Sequence, residues 1–116
     1  MPTSINSAGT QTCTLATNHD LATLTGPAGG AIYALVLDTN ALLAGERLTA
    51  YVTREMAAGG TQRVLWRGIV ANGPTSWLIS ESLLLRLPEG VDGVFGIRQD
   101  GGTGRDIVWS VERVDG

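Results

Sequence analysis

Lysine is missing altogether from these 116 residues, and cysteine and histidine occur once each, as Cys13 and His19. A single cysteine excludes an intrachain disulfide, a CxxC redox pair and a cysteine-based zinc site. A single histidine, set in the polar turn "TNHD", is a poor foundation for a Ser-His-Asp or Cys-His arrangement and reads as an exposed turn residue. Charged residues are only 16% of the chain, the net charge is -3, and the eight arginines form no basic run, which argues against a phosphate backbone as partner. No apolar run approaches the eighteen residues of a membrane span, and "MPTSINSAGTQT" has neither the basic nor the apolar region of an export signal. Acids never cluster at alternating positions as a calcium loop demands. The expectation is therefore a chain without catalytic residues, cofactor or metal, and without nucleic acid or membrane as partner.

What the chain has instead is glycine, 16 in all, beside an ordinary hydrophobic fraction of 43%. That balance favours a turn-rich β protein over a helical bundle, and the length suits one domain with its own core. Residues 1–12 are rich in Ser, Thr, Asn and Gly, with Ile5 as their one large aliphatic residue, and read as an arm that is flexible or ordered by a partner. Residues 13–116 then form the folded domain. "AIYALVLD" is apolar on both faces, as a strand in the middle of a sandwich should be, and "DTNALLAGE" fits a short helical turn near 39–44 crossing between sheets. "RLTAYVTR" alternates, with Leu48, Ala50 and Val52 on one side, and pairs across a Gly-Gly turn with "RVLWRGIV" in a long hairpin flanked by Arg54 and Arg63. "LLLRL" has no clear period and is taken as a strand limited by Pro88. "VDGVFGIRQ" and "RDIVWSVERV" close the chain as a second hairpin, Phe95 and Ile97 meeting Ile107, Trp109 and Val111. About eight short strands at this spacing predict a single all-β domain, an antiparallel β-sandwich or jelly roll.

The loop "RQDGGTGRD" holds three glycines and invites comparison with a phosphate cradle. It lacks the Gly-Lys-Ser/Thr ending of one such loop and opens a strand where a dinucleotide loop opens a helix. A hairpin turn with positive φ at its glycines, closed by Arg105 against Asp100 or Asp106, is the expected structure. Asp38, Glu46, Glu55, Glu81 and Glu89 all stand beside turns and are expected to be solvated, so no carboxylate pair for glycoside hydrolysis is assigned. Trp66 and Trp109 are expected in the core, whereas Trp77, in a Gly-Pro-Thr-Ser context, is a candidate contact anchor. With arginine's planar fork suited to carboxylates and contact surfaces, the candidate partner-binding residues are Ile5, Trp77, Arg54 and Arg63.

The stretches "YALVLDTNALLAGERLTAYV", "GGTQRVLWRGIV" and "GIRQDGGTGRDIVWSVERV" resemble a group of small proteins encoded in tailed-bacteriophage genomes. The likeness spans about residues 31–114, through an "LD-x-N-x-L-x-x-G" crossover, a polar hairpin and a closing "GTGR" followed by Trp-Ser; the N-terminal segment departs from it. The resemblance implies a virion structural protein assembled in the bacterial cytoplasm, a head decoration or cement protein with the major capsid protein and further copies of itself as partners. The alternative is a tail or fibre module that recognises a host-surface glycan through Trp77 and the loops near Asn72.

Overall fold

Aliphatic residues recur at every second position through most of the chain, and each such run becomes a strand with one face turned inward. The computed structural model describes residues 4–72 and 84–114. Eight strands follow in order: β1 (Ser4–Thr12), β2 (His19–Thr25), β3 (Ala31–Asp38), β4 (Arg47–Glu55), β5 (Gln62–Asn72), β6 (Leu84–Leu87), β7 (Asp92–Asp100) and β8 (Asp106–Arg113). They form two four-stranded sheets, ordered β1-β8-β3-β6 and β2-β7-β4-β5, with every neighbouring pair antiparallel.

The pairing is nested. β4 pairs with β5, β3 with β6, β2 with β7 and β1 with β8, so the chain is one long antiparallel ribbon folded at its middle. Rolling that ribbon adds the contacts of β3 with β8 and of β4 with β7 and divides it into two sheets. This is the strand order of an eight-stranded jelly roll. Leu35, Leu37, Leu85, Leu87, Ile107 and Val111 from the first sheet meet Leu24, Leu48, Ala50, Val52, Phe95 and Ile97 from the second in one buried cluster. Burial of each large side chain contributes roughly 1.5–3 kcal/mol.

The structure has the expected all-β sandwich, the β4–β5 hairpin and a strand at Leu84–Leu87. Three expectations are corrected. Residues 4–12 are not a detached arm: they form an edge strand that β8 holds through main-chain pairing, with Gly9 lying under the Trp109 ring. No helical turn occupies 39–44. Asp38 Oδ1 accepts from the Asn40 N–H at 3.0 Å, and two tight turns close from Leu42 N–H to Thr39 O and from Glu46 N–H to Leu43 O. Such side-chain bonding gives the backbone an alternative to helix. Finally, β7 and β8 are not a hairpin, because they belong to opposite sheets and the glycine loop between them crosses the end of the sandwich. Phe95 and Ile97 thus face Ile107 and Val111 across the core and not along one sheet.

Candidate functional site

The loop between β7 and β8 carries the glycines that first suggested ligand binding. Gly101 and Gly102 have φ of 80° and 70°, a region that favours glycine. The loop's donors point inward. Thr103 N–H donates to Glu46 Oε2 at 3.1 Å and Arg105 N–H to Gln99 Oε1 at 2.8 Å, so neither is offered to an anion outside. Gln99, fully buried, returns its amide N–H groups to the carbonyls of Thr103 and Gly101. Glu46 also accepts from Leu43 N–H at 2.7 Å and from the Arg105 guanidinium, whose Nε lies 3.0 Å from Oε1 and whose terminal nitrogen lies 3.0 Å from Oε2. Hydrogen bonding from Arg105, followed by that from Leu43, holds the Glu46 carboxyl down to about 2. The loop is a staple between two crossings, and Arg105 closes on Glu46 instead of on Asp100 or Asp106.

Two acids expected in solvent are therefore interior. Glu46 is only 3% exposed, and buried Glu55 accepts from Asp92 N–H at 2.9 Å. His19 is not a free turn residue either: it opens β2, half-buried, where its Nε2 accepts from Thr14 N–H at 3.0 Å. Cys13 is buried, and burial, with the charge of Asp106, pushes its thiol up to about 11. Among the described residues no group of three His, Cys, Asp or Glu side chains could hold a metal ion, and no helix is long and apolar enough to cross a membrane.

The four candidate contact residues separate. Arg54 is structural: its Nε donates to Glu55 O at 2.8 Å, and a terminal nitrogen reaches across the sandwich to Arg86 O at 2.8 Å. Arg63 is exposed on β5, opposite Arg54 in the register, at the outer edge of the second sheet. Ile5, 69% exposed, projects from β1. Trp77 lies outside the described residues.

Both outer faces of the sandwich mix aliphatic and polar side chains. On the first sheet, rows of directly opposed residues run Ile5–Glu112–Ala34–Leu84, Ala8–Ser110–Val36 and Thr10–Val108–Asp38, with Ile32 beside Arg86. Ile5, Leu84 and Val108 are all at least half exposed there. On the second sheet the rows run Asp20–Gly96–Tyr51–Arg67, Arg98–Thr49–Ile69 and Thr23–Val94–Thr53–Val64, with Thr25 bonded to Asp92 at 2.6 Å and Thr53 to Gln62 at 2.9 Å; Ile69 and Val64 are more than half exposed among these polar side chains. The sequence carried a sign of the first sheet's outer aliphatic residues in the double-sided apolar character of β3. In the sequence that character points to central placement, and β3 is an inner strand.

Comparison of the chain with known protein families, curated proteins and solved structures finds no match. The fold defines an eight-stranded jelly roll whose two outer faces each mix aliphatic and polar side chains.

Proposed function

We propose that this protein is a virion structural protein of a tailed phage, a decoration or cement module that binds the head shell and stabilises it. The carrying observation is the outer face of the first sheet, where Ile5, Val108 and Leu84 stand exposed around Val36 and Ala34. Exposed aliphatic side chains gathered on one face mark contact surfaces, because their burial against a partner is favourable. β1 adds a free strand edge beside that face, which a strand of the shell can extend. The residue patterns of β3 to β5 and β7 to β8, which resemble small phage proteins, support the same reading. In it the major capsid protein is the partner, many copies decorate one head, and assembly takes place in the host cytoplasm.

The test is gradient sedimentation of the purified protein with mature empty heads, counting bound copies. Binding to heads that then survive harsher heating is the expected result. The double variant Ile5→Glu, Val108→Glu, shown folded by circular dichroism, should bind about tenfold or more weakly, which corresponds to about 1.4 kcal/mol of lost contact. Absence of wild-type binding refutes head decoration; unchanged binding by the double variant refutes the assignment of the face.

A further inference from the structure

The outer face of the second sheet holds a polar cleft of about 140 Å³ lined by Asn18, Thr49, Tyr51, Arg67, Arg98 and Asp100. Its floor is built by an unusual side-chain placement. Gly96 stands opposite both Tyr51 on β4 and Asp20 on β2, and a Cβ at position 96 would overlap the Tyr51 ring. The phenol therefore lies across β7 and donates its O–H to Asp20 Oδ1 at 2.7 Å. Tyr51 is 5% exposed, and burial, reinforced by Asp20, raises its pKa so that it stays protonated. Laid flat, it leaves a hollow between the side chains on either side.

The walls of that hollow are arginines. Arg67 is opposite Tyr51 on β5, and Arg98 is opposite Thr49 on β7, so the two stand diagonally across β4. With strands about 4.8 Å apart and residues rising about 3.4 Å each, their Cα atoms are about 12 Å apart. That spacing lets two extended guanidinium groups approach opposite ends of one small ring. Among the described residues no acid lies within ion-pair distance of Arg67. Arg98 meets Asp100 through Nε alone, at 3.2 Å, which leaves its terminal nitrogens to donate elsewhere. The rim adds the Asn18 amide, the Thr49 hydroxyl and the Asp100 carboxylate, groups that both donate to and accept from hydroxyls.

We infer that this cleft binds an acidic monosaccharide unit, a pyranose ring bearing one carboxylate. Arg67 takes the carboxylate through its planar fork, and Arg98, Asn18, Thr49 and Asp100 take the ring hydroxyls. The cleft is smaller than the usual drug-sized pocket, which matches one ring and not an oligosaccharide. The inference does not depend on head binding, since it uses the opposite face of the sandwich.

The experiment is a titration of the isotope-labelled full chain followed by amide NMR shifts, with glucuronate, glucose and acetate as separate probes. Glucuronate should shift the amides around Thr49, Tyr51 and Arg98 with a Kd of about 1 mM. Glucose and acetate should each bind at least about tenfold more weakly, and the exposed-residue variant Arg67→Gln should weaken glucuronate about tenfold. No shift with glucuronate overturns the inference. So does acetate or glucose binding as well as glucuronate, or Arg67→Gln and Arg98→Gln both binding like the wild type.

Discussion

Gly96→Ala is a small change whose effect follows from one contact. The residue lies within β7 with ordinary extended backbone, so what calls for glycine there is the Tyr51 ring above it and not its own conformation. Adding a methyl group displaces the ring and breaks the phenol bond to Asp20. A hydrogen bond to a charged acceptor is worth about 1.5–3 kcal/mol, with the lower end fitting exposed Asp20, and residual overpacking adds about 1 kcal/mol. The smaller conformational freedom of alanine in the unfolded chain returns about 0.5 kcal/mol. The net loss is about 2 kcal/mol, or about 8 °C in Tm for a domain of this size. Urea unfolding followed by tryptophan fluorescence measures it. Repeating the change in a Tyr51→Ala background separates the cause, because no ring is then present to displace. There Gly96→Ala should cost less than about 0.5 kcal/mol, a coupling of about 1.5 kcal/mol or more. Equal losses in the two backgrounds would show that the ring is irrelevant and the reasoning mistaken.

Other consequences follow from the staple and from Cys13. The Glu46 carboxyl is lowered from 4.5 to about 2 in the folded chain, so it stabilises the native state above about pH 4.5 and that contribution drains away as pH falls toward 2. Urea midpoints between pH 5 and 2.5 should therefore depend less on pH in Glu46→Gln than in the wild type, and identical slopes would contradict the assignment. Gln99→Leu keeps the side chain's approximate size but leaves the carbonyls of Gly101 and Thr103 and the N–H of Arg105 without their buried partner, and should cost about 3 kcal/mol in chemical denaturation. With its thiol near 11, Cys13 should react with an aromatic disulfide reagent at pH 8 at least about a hundredfold more slowly in the folded protein than in denaturant; comparable rates would mean that the site is open.

Local periodicity disclosed most strands because aliphatic alternation is a property of the strand itself. Leu48, Ala50 and Val52 needed no knowledge of their partners to be placed inward, and they are the buried side of β4. β1 has no such pattern. Its polar residues adopt a strand because β8 supplies the partner, and that pairing joins opposite ends of the chain. The crossing from β7 to β8 escaped for a related reason: a short glycine loop suits a hairpin as well as a crossing, and only the nested pairing of β2 with β7 and β1 with β8 decides between them. Sequence proximity offers Arg105 only its neighbouring acids, whereas its partner Glu46 belongs to a distant loop that the roll brings alongside. The polar cleft was invisible for the same reason, being assembled from β4, β5, β7 and the segment before β2.

The folded ribbon also dictates an order of assembly. Closing a loop costs conformational entropy that rises with its length, and among the hydrogen-bonded strand pairs only β4 and β5 are consecutive in the chain. Once they pair, β3 and β6 are brought near, then β2 and β7, each closure shortening the free chain for the next. β1 comes last, with Ser4 opposite Arg113. We expect amide hydrogen exchange to be slowest at the β4–β7 seam and fastest along β1, and uniform protection across all eight strands would exclude this zipping order. The strand that carries Ile5 is thus the final one to close and the first to peel away, so the sandwich can release its terminal strand while the remaining seven hold their roll.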